Sequence, residues 1–305
     1  MVQHIAIDCG RDSTKTITRH NLLNILIRKD FKSRVGEWRE LKLESEEHYQ
    51  VNIDGSKFFI HDLAEESFFE RAMTVREKIH DELRILFLSA LGMVVNNGEK
   101  LIITTGLPIG QHTIETKNRF QELVKGKHII QIDDKPSVEC YIDNLNIIAE
   151  STSIFWNCML DDQGIPIQSP FPNQTVRILD LGSREFNFST IKFYPNEQRR
   201  KFLDKESGSL NYGMIELEKS GENPTSEMKN QFTRKIVGDV SKKWFTYEPL
   251  KDIIIIAGGG ILQLQEYFKP HFPLLRIDPD PIFAPVKGMY KMGMAKWRKE
   301  QQVAR

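Results

Sequence analysis

Cysteine is sparse in this sequence and scattered. Cys9, Cys140 and Cys158 are its three thiols, and no two have the spacing of a zinc knuckle or a redox pair. All three read as reduced and structural. Histidine is not grouped either: the eight histidines contain no H-x-x-x-H pair, so no metal site built from imidazoles is indicated. No apolar run approaches the ~18–20 residues that cross a bilayer. The first residues lack the basic region and apolar stretch of a signal peptide, so a cytoplasmic location and no membrane partner are expected. An excess of one charge is also missing. With 42 acidic and 42 basic side chains the net charge is zero, which argues against a chain whose main task is to coat nucleic acid, since that needs a concentrated basic face. Two local basic stretches, 196–205 and 296–305, read as a solvated loop and a solvated tail. There is no low-complexity segment.

What is present fits a soluble α/β protein. A chain of 305 residues is long for one core and suits two domains. Residues 2–10 predict a strand, and 16–35 supply two more joined by a turn near Asn21–Asn24. In "YQVNIDGSKFFIHD" (49–62) an Asp-Gly pair divides two alternating runs, the strongest short hairpin signal. A long helical region is expected over 63–95, where Ile79, Leu83, Leu86, Ala90, Leu91 and Val94 recur at helical spacing. A buried strand at 100–110, a helix at 113–126 ended by Gly126, and two or three strands over 127–150 follow. The stretch 151–160 opens a helix with Ser151 or Thr152 near its N-cap. The Pro- and Gly-containing stretch 164–174 reads as the handover between domains. Beyond it come a strand–turn–strand unit at 175–194, a helix within 207–221, another over 224–243, a buried strand and helix at 251–268, and a last helix after a Pro-rich loop, within 279–300.

One stretch asks for more than a turn. "IAIDCGRDSTK" (5–15) delivers Asp8, Gly10 and Lys15 at the end of an apolar strand. An ordinary hairpin uses the same residues, because Gly allows positive φ and Asp bonds nearby amides, with the lysine facing water. A phosphate-binding loop uses them too. The pattern returns at Asp180 and Gly182 in "ILDLGSREFNFSTI" (178–191), and a third apolar strand runs into Gly258, Gly259 and Gly260. Glycine at a hairpin tip brings backbone amides close to phosphate oxygens. Two such tips can hold a β- and a γ-phosphate. Asp8 and Asp180 can hold Mg²⁺ through its waters, Lys15 can reach phosphate as a point charge, and a glycine run lets backbone lie against a purine and ribose.

The order of these motifs resembles the superfamily of actin, the heat-shock chaperones and the sugar kinases: phosphate 1 (5–15), connect 1 "NIIAESTSIFW" (146–156), phosphate 2 (178–191), adenosine "IIIIAGGGILQL" (253–264) and connect 2 "DPIFAPVKGMYKMG" (280–293). Within it the chain is similar to bacterial and plasmid actin-like proteins of the ParM/StbA type. That similarity is carried by the D-x-G-x-x-x-T-K spacing from Asp8 to Lys15, by "TTGLP" (104–108), by segments of 120–151, and by "PIFAPVKGMYKMG" before the final helix.

The resemblance implies an actin-like ATPase (ribonuclease H-like) fold, two α/β domains around a nucleotide cleft. Residues 1–157 would form domain I, joined by a C-terminal helix 288–305, and 158–287 would form domain II. The stretch between phosphate 2 and the adenosine motif is short, which implies a reduced fourth subdomain. It implies ATP or GTP with Mg²⁺ as cofactors. Nucleotide contacts would come from Asp8, Gly10, Arg11, Asp12, Ser13, Lys15, Gly182, Ser183, Arg184, Glu216, Gly258, Gly259 and Gly260. Asp8 and Asp180 would hold the metal through water, and Glu150 with Asp180 would be catalytic, Glu150 orienting the attacking water. Each has a plainer reading: turn-capping aspartates, a helix-start acid at Glu150, a tight strand–helix turn at the glycines, exposed acids at Glu216 and Glu218. Arg11 and Asp12 stand where relatives often carry small or polar residues. Met289, Tyr290, Met292, Met294 and Trp297 read as core. The implied function is a nucleotide-dependent filament that segregates low-copy plasmid DNA, with itself and a DNA-binding adaptor as partners and no strong direct DNA binding. The alternatives are a sugar-kinase-type phosphotransferase and a phage or chromosomal filament with another cargo.

Overall fold

The computed structural model describes residues 2–20, 25–41, 49–67, 70–72, 77–219 and 223–303. The turn expected near Asn21–Asn24 lies outside these residues. The chain divides into two compact units: Met1–Leu107, Gln111–Ile148 and Gly293–Arg305 form the first, and Pro108–Gly110 with Ala149–Met292 form the second. The loop 164–174 lies inside the second unit.

The first unit is built on β1 (Val2–Cys9), β2 (Ser13–Arg19), β3 (Leu26–Lys32), β4 (Arg34–Glu37), β5 (Gln50–Ile53), β6 (Ser56–Ile60), β7 (Glu70–Ala72), α1 (Asp81–Gly92), β8 (Lys100–Leu107), α2 (Ile114–Val124), β9 (Gly126–Ile132), β10 (Val138–Ile142) and β11 (Leu145–Ala149). One sheet runs β11-β8-β1-β2-β3, and a second runs β10-β9-β5-β6-β4-β7. β1 lies parallel to β8 and antiparallel to β2. Its last five residues are all buried, as expected for an inner strand covered on both faces. The Asp-Gly pair makes the predicted hairpin: Asp54 and Gly55 both have positive φ, 54° and 88°, between paired Ile53 and Ser56. The Asp54 carboxylate also accepts bonds from Ile129 N–H and Arg84, at 2.9 and 2.8 Å, which ties the turn to neighbouring elements.

The long helix expected over 63–95 is not formed. Among the described residues of this stretch a 3-10 turn occupies His61–Glu66, β7 follows, and the α-helix is Asp81–Gly92. Apolar spacing marks buried positions, and these continue on both sides of the helix at Ile79 and Val94. The start is set locally, by His80 in an extended conformation and by Asp81 and Glu82 in the first turn. α2 follows prediction, with the Thr113 side chain accepting from Thr116 N–H.

The second unit contains α3 (Glu150–Met159), β12 (Val176–Leu181), β13 (Phe186–Tyr194), β14 (Arg199–Phe202), β15 (Gly208–Leu210), α4 (Ile215–Glu218), α5 (Ser226–Ser241), β16 (Ile253–Ala257), α6 (Ile261–Phe268) and β17 (Leu275–Ile277). Its sheet runs β14-β13-β12-β16-β17, with β15 also paired to β13. Alternation explains why β16 reads as unbroken isoleucine. Leu179, Leu181, Ile254 and Ile256 face a core shared with α5 and α6. Val176, Ile178, Ile253 and Ile255 face another that contains Ile154 and Phe155 of α3. Of the helix expected within 207–221 the described residues form the four-residue α4, and β15 takes the start of the stretch. Gly208–Leu210 pair with Phe186–Phe188, and this ladder takes the backbone bonds a helix would need. α3 begins at Glu150 directly after β11. Ser151 and Thr152 are therefore inside it and do not cap it; Thr152 Oγ1 donates back to Ala149 O at 2.8 Å.

A buried polar knot anchors the far end of β12. The Arg177 guanidinium is fully buried and donates to Asp252 Oδ2 at 2.7 Å, Glu206 Oε2 at 2.5 Å, Thr190 Oγ1 at 3.1 Å and Thr246 Oγ1 at 3.1 Å. The final helix, α7 (Ala284–Val303), is shared: its residues up to Met292 belong to the second unit and Gly293 onward to the first. Met289, Tyr290 and Met294 are buried as predicted. Trp297 sets its ring edge-on to His4 at 4.9 Å.

Candidate functional site

In the first unit the hairpin of β1 and β2 pairs Asp8 with Lys15 and Cys9 with Thr14, leaving Gly10, Arg11 and Asp12 at the tip. The Asp8 side chain is nearly buried at the end of its strand, with the Lys15 ammonium 3.9 Å from Oδ2. Behind the tip Ser33 acts as a strut. Its hydroxyl donates to Gly10 O at 2.5 Å and lies 2.9 Å from Thr14 Oγ1, and its N–H donates to Asp12 O at 2.8 Å.

In the second unit β12 and β13 pair Asp180 with Asn187 and Leu181 with Phe186, leaving Gly182, Ser183, Arg184 and Glu185 at the tip. The two hairpins share a build. A Cβ on Gly10 would stand 2.7 Å from Ser13 O, and one on Gly182 would stand 2.6 Å from Glu185 O. In each case the carbonyl three residues on folds back over the glycine, so no other residue fits without a shift. The second tip is braced by α4: Met214 and Ile215 N–H donate to Gly182 O and Ser183 O at 3.2 and 2.9 Å.

The triple-glycine turn is packed against this hairpin. Gly258 has φ +88°, and a Cβ there would stand 2.6 Å from Leu181 O and 2.7 Å from Asp180 Oδ1. Gly260 N–H donates to Leu181 O at 3.0 Å, and its Cα faces Met214. Gly259 is exposed, with no atom within 4 Å of where its Cβ would be. Glu150 is the first residue of α3 and nearly buried. The next residue, Ser151, shares a hydrogen bond with Ser189 of β13, which fixes this helix start on the sheet that carries Asp180.

Within the first unit, then, Asp8, Gly10, Ser13 and Lys15 come together, Lys15 Nζ lying 3.4 Å from Ser13 O. Within the second, Asp180, Gly182, Gly258 and Gly260 come together. Arg11, Ser13, Ser183 and Arg184 are half-buried on the tips, and Asp12 is exposed. Glu216 is exposed and paired with Lys235 at 3.2 Å, and Glu218 is exposed. Among the described residues no group of three or more His, Cys, Asp or Glu gathers as a metal site. Mg²⁺ that keeps its waters and binds phosphate needs no such set.

The residues that the sequence did not reveal are Ser33, Gly213 and Lys78. Gly213 backs onto the second tip, where a Cβ would stand 2.3 Å from Ser183 O. Lys78 is buried, with its ammonium 4.0 Å from Asp8 Oδ1. It belongs to no motif and sits inside the stretch read as one helix. The three cysteines are free, and burial pushes the Cys140 and Cys158 thiols up to about 11, which suits structural roles. Among the described residues no helix is long and apolar enough to cross a membrane.

Residues 6–152 match the family model described as the N-terminal domain of actin-like proteins. No curated protein matches the sequence. Among solved structures, a subunit of a 15-stranded ParM filament from Clostridium botulinum is 18% identical, with a TM-score of 0.77 over 95% of this chain and 98% of that one. A non-polymerisable quadruple mutant of pCBH ParM is 17% identical, with a TM-score of 0.76 over 98% and 100%. An apo ParM protein, psk41, is 18% identical, with a TM-score of 0.74 over 99% of both chains. The resemblance carried by the motifs is thus borne out, and the fold is the actin-like one, with two α/β domains.

Proposed function

We propose that this chain, which has the actin-like fold, is a nucleotide-driven filament protein: it binds ATP or GTP with Mg²⁺, assembles with copies of itself, and hydrolyses the nucleotide to make the polymer unstable. The observation that carries the reading is the pair of Asp-x-Gly hairpins of one build, one in each unit, with Gly258 pressed against Asp180. Phosphate oxygens would be met by the tip amides and by Lys15. Asp8 and Asp180 would hold the waters of Mg²⁺, whose part is to neutralise charge on the transferred phosphoryl group. Glu150 would orient the attacking water and take its proton late in the transfer. The exposed, φ-unrestricted Gly259 and its neighbours would lie against the base and ribose.

The self-association reading is supported by the likeness to a protein solved as a filament. Cargo belongs to the same proposal. With zero net charge the chain would reach low-copy plasmid DNA through an adaptor that carries the basic surface. The test is light scattering with electron microscopy on purified protein with ATP, GTP, ADP and Mg²⁺. Nucleotide-dependent polymer is expected. No polymer with any nucleotide, at high protein concentration and with crowding agent, would rule out the filament.

A further inference from the structure

Ser33 stands where the chain leaves the first sheet of its unit for the second, between the last residue of β3 and the first of β4. It is 2% exposed. There it commits both of its donors to one hairpin tip. Its hydroxyl donates to Gly10 O at 2.5 Å and its N–H to Asp12 O at 2.8 Å. A serine hydroxyl has one hydrogen, so at the neighbouring contact of 2.9 Å it is the buried Thr14 that donates to Ser33 Oγ. Both carbonyls of the tip are therefore drawn toward Ser33. A trans peptide is planar, so an N–H points opposite to the carbonyl before it. The N–H groups of Arg11 and Ser13 are in this way turned to the face of the tip away from Ser33.

A hairpin that only reverses the chain does not need this. A standard tight turn closes on itself, the carbonyl of its first residue accepting from the N–H three residues on. Among the described residues the first tip has no such bond from Ser13 N–H to Gly10 O, and the second has none from Glu185 N–H to Gly182 O. In both, the glycine carbonyl is taken from outside the turn, by Ser33 Oγ in one and by Met214 N–H at 3.2 Å in the other. Ser183 O is taken as well, by Ile215 N–H at 2.9 Å, which turns the Arg184 N–H away from α4. Two tips in separate units, braced by unrelated elements, thus each hold the glycine peptide with its carbonyl toward the brace and the next amide away from it. Backbone amides that point the same way form an anion-binding concavity. We infer that Ser33 is a positioning residue for the nucleotide: by holding the Gly10 carbonyl it aims the amides of the first tip at phosphate oxygens, the part that α4 plays for the second tip. The inference rests on the nucleotide reading above and deepens it.

The experiment is isothermal titration of wild type, Ser33→Ala, Ser33→Cys and Ser33→Thr in Mg²⁺, with circular dichroism on each. The ligands are the tri-, di- and monophosphate of whichever of adenosine or guanosine wild type binds. Loss of the hydroxyl's bond should weaken triphosphate binding about three- to tenfold in Ser33→Ala, while the monophosphate binds as to wild type. Ser33→Thr keeps the hydroxyl and should bind the triphosphate like wild type. Ser33→Cys keeps the shape with a weak donor; its loss should be smaller and again confined to the tri- and diphosphate, which serves if Ser33→Ala does not fold. Equal losses for all three ligands would make Ser33 a brace of the fold alone, and unchanged triphosphate binding would detach it from the site; either overturns the inference and leaves the nucleotide reading standing. No binding by wild type overturns both.

Discussion

At Glu150 a single side chain stands where a strand becomes a helix without a loop between them. β11 ends at Ala149, α3 starts at Glu150, and the carboxyl group is nearly buried. The first turn of a helix favours a negative charge, so position alone accounts for an acid here. The proposed function asks more of it, namely to act on water and not on the nucleotide. On that reading Glu150→Ala should still bind nucleotide and still polymerise, while phosphate release falls about 10²–10⁴-fold, or roughly 3–5 kcal/mol of barrier. Its filaments should outlast those of wild type when phosphate release and light scattering are followed on one sample. Hydrolysis at the wild-type rate would return Glu150 to the role of a helix-start acid. Asp180 differs in kind. Gly258 is pressed so closely on it that carboxylate and glycine are one device, and a side chain at 258 would displace the acid. The sequence showed both residues but not that they touch, because contact between positions 180 and 258 is a property of the β12–β16 pairing.

Elements decide where helices can cross. Gly288 lies within α7, and a Cβ there would stand 1.8 Å from Ser153 O of α3. Two effects oppose each other in Gly288→Ala. Alanine favours a helix over glycine by about 1 kcal/mol. The clash is with backbone, which cannot rotate away, and overpacking typically costs about 1–3 kcal/mol or more. The clash wins, so Gly288→Ala is expected to unfold at lower denaturant than wild type; an equal or higher midpoint would refute so close a crossing. Such contacts were not legible in "VKGMYKMG", where glycine reads only as a weak helix residue. Strands were easier to see. The runs of β1, β12 and β16 and the Asp-Gly turn of β5–β6 are written in periods and turn residues that act locally. The region 63–95 misled because burial continues at Ile79 and Val94 on either side of the helix, so the apolar period outruns the helix itself. Lys78 lies in that region, and its inward course depends on Gln111 and Asp8, far away in the chain.

For the molecule as a whole, the last helix is the part that joins distant stretches of sequence. Trp297 meets His4 edge-on, and neither ring nitrogen of His4 has a hydrogen-bond partner. Burial lowers the His4 imidazole from 6.5 to about 4. The unfolded chain therefore takes up a proton at a higher pH than the folded one. The stability this histidine contributes is complete above about pH 6.5 and declines as pH falls toward 4. Thermal melts from pH 7 to pH 4 should show the loss, and His4→Phe, which cannot take up the proton, should show a shallower slope. A slope unchanged in His4→Phe would place the acid sensitivity elsewhere.

The sharing of α7 also bears on how the chain is made. A ribosome delivers β1 first, yet the side chains that pack on His4 and Thr104, namely Trp297 and the close approach at Gly293, emerge only after the whole second unit has been synthesised. The unit begun earliest is thus completed latest. While translation continues, its sheet can form but stays without its closing helix, and a nascent chain cannot present a finished surface to an existing polymer. Growth of any filament would draw on chains in which α7 has already been made and docked.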